Sequence, residues 1–365
     1  MRLAIISHGI YPDAFGGVHV AVFKFAKFLQ KKQVKVALLL NDVKNPNLEI
    51  IKDLKIYPAA GGHKRFISPI LHLISFFYNL VKLRPDIVFV LGIFNFSLVG
   101  TIYAKLFRKK IIVRSEGLDI ELIPNFIDLF MKKLICEHTD QVLSVSYEHL
   151  PHILRFKPKN YPRILMNGAD PQNIDLRKKE EKNYFLILFV GRLDAVKNLG
   201  TLLQAFHRVM DQRGRLKKEI HLTLCGDGPE RGKLEQMAKN LSIFKQVNFP
   251  GFLKHEELNL LYEKADIFVL PSVSEGFPLV IAEALSFGCP IVCSALPNLT
   301  KVLVESENCL FFNPPTNSEE LANKVFSLLS DDNLRKKLEI NNVQLSKKFT
   351  WETIGEELWK ILINL

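Results

Sequence analysis

Short apolar runs and helical periodicities alternate along the whole chain. In the first half, runs at 2–7, 35–40, 86–92, 110–115, 141–146 and 163–167 read as buried strands, and apolar residues recur at helical spacing over 18–31, 67–83, 97–107 and 126–138. A polar stretch follows at 171–183, with the charge run Arg177-Lys178-Lys179-Glu180-Glu181-Lys182, and reads as a linker. The rhythm then restarts, with strands expected at 184–191, 219–226, 246–250, 266–271, 290–294 and 309–312, and helices at 199–213, 230–241, 255–264, 278–287 and 318–329. Strand–helix alternation of this kind builds parallel sheets covered on both faces. The pattern predicts an α/β chain of two tandem Rossmann-like, doubly wound domains facing across a cleft: 1–172, 173–349, and an amphipathic helix over 350–365 that packs on the second domain or crosses back to the first. Ligands of such sheets bind outside the carboxyl ends of the strands, which makes the loops after the strands the place to look for chemistry.

Composition narrows the class. A length of 365 residues suits two domains, and 48% hydrophobic residues exclude a disordered chain. The net charge of +11 is lodged in one half: 24 basic and 13 acidic residues up to Asp170, against 25 of each from Pro171 onward. Such asymmetry points to different partners for the two halves. Five cysteines with no Cys-x-x-Cys pair argue against a disulfide framework or zinc ribbon and fit a reducing compartment. Arg2 is followed by only four apolar residues, too few for a signal peptide core. The charge-free stretch 87–104 contains Gly92, Asn95, Ser97, Gly100 and Thr101, and reads as strand, turn and helix rather than a membrane span. The expected location is cytoplasmic. No aromatic-basic motif of a nucleic-acid module is present, so nucleic acid is not an expected partner.

Six segments at strand ends carry candidate chemistry. In 188–199 a strand ends at Gly191 and a helix starts near Asn198, with Arg192 and Lys197 flanking the turn. Two cations beside helix-start N–H groups suit a diphosphate; they also occur as solvated surface charge. In 274–284, Glu275 precedes Gly276-Phe277-Pro278 and Glu283 lies inside the helix that follows, as a paired carboxylate set or as buried carboxylates capping backbone. Gly16-Gly17 after the first strand allows close backbone approach to an anion, or is a plain turn. Arg114-Ser115-Glu116-Gly117-Leu118-Asp119 and Asn167-Gly168-Ala169-Asp170 end two further strands, as cleft residues or as turns. Gly226-Asp227-Gly228-Pro229 reads chiefly as a turn and helix cap. No Gly-x-Gly-x-x-Gly occurs, which counts against a dinucleotide enzyme.

In this order, Phe15-Gly16-Gly17-Val18, Asn167-Gly168-Ala169-Asp170, Val190-Gly191-Arg192-Leu193 with Lys197-Asn198, Gly226-Asp227-Gly228-Pro229, Val247-Asn248-Phe249-Pro250-Gly251 and Glu275-Gly276-Phe277-Pro278-Leu279 through Glu283 resemble retaining glycosyltransferases of family four, of GT-B architecture. The resemblance covers nearly the full chain and is densest over 184–314. It implies that Arg192 and Lys197 hold the diphosphate of a nucleotide-sugar donor, that Glu275 lies near the transferred sugar and Glu283 near the ribose, and that backbone N–H groups of Gly276, Phe277 and Leu279 surround sugar and phosphate. Gly191 ends the donor-site strand, Gly251 and Phe252 meet the base, and Gly17 closes on the diphosphate from the first domain. No metal or other cofactor is implied. One position departs: relatives commonly carry His before Gly in the fourth strand-end segment, and this chain has Glu116. Either Glu116 binds donor sugar hydroxyls in its place, or that part of the site is weakened.

The function implied is transfer of a hexosyl-type group from a nucleotide donor to a glycan or lipid-linked acceptor, with retention, in cell-surface polysaccharide or lipopolysaccharide synthesis. A soluble transferase for a small or protein acceptor and a non-catalytic nucleotide-sugar-binding protein are the alternatives. The basic first half would meet an anionic acceptor or the membrane bearing it. Lys64-Arg65 beside Phe66, Ile67, Ile70, Leu71, Ile74, Phe76 and Phe77, and the cluster Lys105, Arg108, Lys109, Lys110, are candidate contacts with an anionic inner membrane surface; both also read as core-facing helix with solvated charge.

Overall fold

The computed structural model of the chain describes residues 1–11, 16–41, 53–59, 68–121, 125–172, 182–216 and 218–365. Phe15, the pair Lys64-Arg65 with Phe66 and Ile67, and most of the polar stretch 171–183 lie outside the described residues. Two compact units form: Met1–Gly168 with Trp351–Leu365, and Ala169–Thr350.

The first unit holds seven parallel strands, β1 (Arg2–Ser7), β2 (Lys35–Leu40), β3 (Lys55–Pro58), β4 (Ile87–Leu91), β5 (Lys110–Ser115), β6 (Gln141–Ser144) and β7 (Arg163–Ile164), in the order β3-β2-β1-β4-β5-β6-β7. The central strand β4 is buried along its full length, as its unbroken apolar run requires of a strand covered on both faces. Strand β3 escapes the pattern because it is short, half-exposed and at the edge, where Pro58 costs no internal ladder bond. Helices Ser68–Leu83, Asn95–Leu106 and Phe126–His138 cover one face through a core that includes Phe76, Leu80, Val99, Tyr103, Ile135 and Cys136.

The helix Gly17–Lys31 carries Phe25, whose ring lies 5.9 Å from Phe89 and meets Trp351 edge-on at 5.8 Å. The terminal helix Trp351–Ile363 thus belongs to the first unit, although the chain leaves the second only at Thr350. Its seat depends on a missing side chain: a Cβ at Gly355 would fall 2.5 Å from the root of the Phe28 ring. An ion pair between Lys32 and Glu356, 2.5 Å, closes the contact at the surface.

The second unit has six parallel strands, β8 (Tyr184–Val190), β9 (Glu219–Cys225), β10 (Val247–Gly251), β11 (Ile267–Leu270), β12 (Ile291–Ser294) and β13 (Cys309–Phe312), ordered β10-β9-β8-β11-β12-β13. Each coincides with an apolar run in the sequence. The helix Asp332–Ser346 does not: among its 15 residues only Leu338 and Asn342 are buried, too few for a visible stripe, and Asn342 is held by donating to the Cys289 carbonyl at 2.7 Å. All five cysteines are buried and unbridged. Among the described residues, no helix is long and apolar enough to cross a membrane.

Replacing Gly355 by Ala should push the terminal helix off Phe28. The expected loss is about 1–3 kcal/mol of stability, read by urea denaturation.

Candidate functional site

The strand order of the second unit reverses between β8 and β11, so the loops after these two strands leave toward opposite faces and open the carboxyl edge between them. Two glycine-bearing loops shape that edge. Gly226 follows β9 at φ 130°, and a Cβ there would sit 1.9 Å from the Gly191 carbonyl oxygen. The loops after β8 and β9 therefore lie backbone on backbone, joined by Leu193 N–H to the Asp227 carbonyl (2.9 Å) and Glu230 N–H to the Leu193 carbonyl (3.0 Å). The segment Gly226-Asp227-Gly228 is a packing plate under the loop that carries Arg192, more than the turn and cap that its sequence suggests. Gly226 N–H donates in turn to the Gly251 carbonyl at the end of β10, 2.9 Å. Phe252, next in the chain, is exposed.

The loop after β8 then makes a single 3-10 turn, Ala195–Lys197, capped by the Asp194 carboxylate, which accepts from Lys197 N–H at 3.3 Å. Asn198 takes a left-handed conformation, φ 53°, and its side-chain amide donates to the carbonyls of Pro271 (3.2 Å) and Pro315 (2.7 Å). Val273 N–H donates to the Val196 carbonyl at 2.9 Å. These bonds lay the turn against the segment after β11. The consequence is a contact between residues 78 apart: Lys197 Nζ donates to Glu275 Oε1 at 2.6 Å, and Ser272 Oγ donates to the same oxygen at 2.6 Å. Arg192 does not join them. Its side chain is 70% exposed, with Nε 3.5 Å from Asp194 Oδ2.

After Glu275 the chain turns through Gly276, buried Phe277 and Pro278 into the helix Leu279–Ser286. The Phe277 ring is anchored on Phe349, centroids 5.2 Å apart. Asn298, on the short helix after β12, holds the turn from beneath: its amide donates to the Glu275 carbonyl at 3.0 Å and to the Gly276 carbonyl, and it is almost wholly buried. Nothing in the sequence singled it out, because a lone Asn in a loop carries no pattern. Glu283, one face up the helix, accepts at 2.9 Å from the hydroxyl of buried Tyr262. Burial, and then the Glu283 charge, raise the Tyr262 hydroxyl well above its ordinary pKa, so it stays a neutral donor.

The remaining candidates lie in the first unit. Gly17 opens the helix Gly17–Lys31, with Gly16 as its cap at φ 135° and no side chain capping it. Glu116 is enclosed. Both its oxygens accept from fully buried Arg114, at 2.7 and 2.8 Å, and Arg114 Nη2 also donates to Asn167 at 2.8 Å while the guanidinium lies 5.2 Å from the Phe25 ring centroid. The strand-end segments at 114–119 and 167–170 thus meet in one buried network. Asp119 organises its turn, accepting from Ser115 Oγ and from the N–H groups of Ile93, Glu116 and Gly117. Burial raises the pKa of both Glu116 and Asp119, against the pull of Arg114 on the first and of the donated N–H groups on the second. Gly117, at φ 117°, leaves room for the buried ring of His149, another residue the sequence did not flag; a Cβ would lie 2.9 Å from its Cε1. The expectation that Glu116 offers a carboxylate to sugar hydroxyls meets this geometry: both oxygens are engaged by Arg114, and its charge is matched inside the unit.

Glu116→Gln should therefore leave the Arg114 charge buried and unmatched. A stability loss of about 3–5 kcal/mol is expected by chemical denaturation. A variant that loses donor affinity at unchanged stability would instead assign Glu116 to the ligand.

Comparison with known proteins agrees with this architecture. Residues 172–344 match the family model Glycosyl transferases group 1. An uncharacterized glycosyltransferase of Methanocaldococcus jannaschii is 30% identical over 64% of this chain and 63% of its own length. A Campylobacter jejuni alpha-1,4-N-acetyl-D-galactosaminyltransferase, named for an acceptor on undecaprenol diphosphate, is 27% identical over 90% of this chain and 86% of its own. Among solved structures, Anabaena HepE in complex with UDP superposes with a TM-score of 0.80 at 18% identity, covering 100% of both chains. Residues 172–344 thus match the Glycosyl transferases group 1 family, and they lie in a chain of two Rossmann-like units whose fold Anabaena HepE shares.

Proposed function

We propose that the chain transfers a hexosyl-type group from a nucleoside diphosphate sugar to a glycan or lipid-linked acceptor, with retention at the anomeric carbon, in the synthesis of a cell-surface polysaccharide or lipopolysaccharide. The observation that carries this reading is the Lys197–Glu275 contact at the β8/β11 reversal, inside the residues that match the group 1 family. The relative named for an undecaprenol diphosphate acceptor supports a lipid-linked substrate. The UDP held by a fold neighbour supports a nucleoside diphosphate.

In this reading Lys197 and Arg192 bind the diphosphate. Lys197 is pre-positioned by its capped turn, and exposed Arg192 brings a planar fork that suits phosphate oxygens. When the diphosphate takes the Lys197 ammonium, Glu275 is left to accept from a hydroxyl of the transferred sugar, with Ser272 and Asn298 holding its carboxylate and backbone in place. The helix Leu279–Ser286 begins at this turn, so the N–H groups at Gly276, Phe277 and Leu279 add partial positive charge where the leaving group gains negative charge. Pro278 has no N–H to give. Glu283 would accept from the ribose, and Gly191, Gly251 and Phe252 would line the nucleotide. The bond from the anomeric carbon to the diphosphate breaks with its electron pair leaving on the diphosphate. The acceptor hydroxyl oxygen bonds the same face, and its proton passes to the departing phosphate oxygen. The charge is neutralised by cations of the chain and backbone N–H groups, so this reading needs no metal or other cofactor.

Lys197→Ala is expected to lower kcat/KM for the donor by at least about 100-fold, the scale of losing one group that stabilises developing charge. Glu275→Gln should depress kcat more than it raises KM. Transfer at wild-type rates by either variant would reject the assignment. Asn298→Ala, which removes the two carbonyl contacts without touching the donor, should reduce kcat about tenfold, measured beside a thermal melt. EDTA should leave transfer unchanged, and recovery of a lost rate by added divalent cation would overturn the metal-free reading.

A further inference from the structure

The three helices on one face of the first unit are arranged against the ordinary rule for a water-facing layer. The helix Phe126–His138 turns apolar residues outward: Phe126, Ile127 and Phe130 are 79%, 68% and 57% exposed. Of its two lysines, Lys133 faces solvent beside Glu137 and Lys132 points inward. Lys132 is only 4% exposed, held by Asp128 at 2.8 Å. A surface helix that hides a lysine and shows two phenylalanines inverts the expected amphipathic pattern. The neighbouring helices continue the surface. Ser68–Leu83 exposes Ile74 and Tyr78, and Asn95–Leu106, which packs between the other two, exposes Ile102 and Leu106. An open apolar groove of about 480 Å³ runs between these two helices, lined by Leu73, Phe77, Val81, Val99 and Ile102.

The charge on the first two of these helices in chain order has one sign, while Phe126–His138 carries Asp128 and Glu137, paired with Lys132 and Lys133. Neither Ser68–Leu83 nor Asn95–Leu106 contains an Asp or Glu. Lys82, Lys105 and Arg108 are exposed and have no ion-pair partner among the described residues. An apolar surface edged by free cations is the pattern of an interfacial membrane contact, where aromatic and aliphatic side chains enter the headgroup zone and basic ones meet lipid phosphates. A second copy of the chain fits less well, since a twofold pairing of this face would set cations against cations.

We propose that the outer face of this three-helix layer docks on an anionic lipid bilayer, with Phe126, Ile127 and Phe130 entering the headgroup region beside Ile74 and Tyr78, and Lys82, Lys105 and Arg108 paired with lipid phosphates. The contact keeps Ile74, Lys105 and Arg108 from the two segments that the sequence offered and adds the helix Phe126–His138, whose sequence reads as an ordinary core-facing α-helix. It deepens the proposed transfer to a lipid-linked acceptor, resting on that reading for its purpose and not for its test.

The test is flotation of the full chain, without donor, on vesicles of phosphatidylcholine with or without phosphatidylglycerol. The wild-type chain should float with phosphatidylglycerol vesicles at low salt, and added salt should weaken the binding. The triple variant Phe126→Ser, Ile127→Ser, Phe130→Ser should lower binding at least about tenfold with an unchanged melting temperature and unchanged transfer to a soluble acceptor analogue. Lys105→Ala with Arg108→Ala should reduce the preference for anionic vesicles. Absence of wild-type binding at low salt, or full binding by the triple variant, would overturn the proposal. So would a dimer, seen by sedimentation, that the triple variant abolishes while no vesicle binding occurs. Failure of the wild-type chain to transfer sugar would instead count against the transferase reading and leave the flotation result standing.

Discussion

Where a parallel sheet reverses its strand order, right-handed crossovers send the two central loops to opposite faces, and the carboxyl edge between them cannot be covered by either. The second unit is organised by that constraint. It leaves the ends of β8 and β11 adjacent and open, and brings residues 192–198 against 271–275. Everything near the edge then serves to fix two short loops. Gly226 lets the loop after β9 support the one after β8, Asn198 ties that loop to Pro271 and Pro315, and Asn298 holds the turn that follows Glu275. The cost of such exposed backbone is met by side-chain amides, each satisfying carbonyls that no strand or helix can reach.

The Arg114–Glu116 and Lys197–Glu275 pairs differ in how water reaches the cation, 0% exposed in the first and 20% in the second, and in how many carboxylate oxygens are taken. Arg114 gives two bonds to the two Glu116 oxygens and one to Asn167 and lies over the Phe25 ring, while its Nη1 is buried without a hydrogen-bond partner. Removing either partner leaves a charge in low dielectric, so the pair holds its unit together and offers little to a ligand. Lys197 and Glu275 share one short bond, retain some exposure, and leave one oxygen of Glu275 outside the Lys197 and Ser272 bonds. A partly hydrated pair can trade its partner for a phosphate or a hydroxyl without passing through an isolated buried charge. Glu116 and Glu275 are about equally exposed, 10% and 9%; what sets Glu116 apart is that Arg114 takes both of its oxygens.

Most of the architecture was legible along the chain. All six strands of the second unit and six of the seven in the first announce themselves as apolar runs, since a strand buried on both faces has no polar positions to confuse. Strand β3 and the helix Asp332–Ser346 were not, because an edge strand and a largely solvated helix bury too little to leave a period. The glycines and charges of the strand-end segments were likewise visible as candidates.

Sequence by itself determined the α/β rhythm, the two-unit plan, the uneven charge and the roster of polar residues at strand ends, because these follow from local periodicity and composition. Tertiary structure decided which of those residues meet. It joined Lys197 to Glu275 and left Arg192 in solvent, closed Glu116 onto Arg114, recruited Asn298 and His149, seated the terminal helix on Phe25 and Phe28, and turned Phe126 and Phe130 outward while burying Lys132. The physical reason is that pairing and burial depend on contacts between residues far apart in the chain. A residue's neighbours in sequence say which face of an element it occupies, but not what that face is packed against.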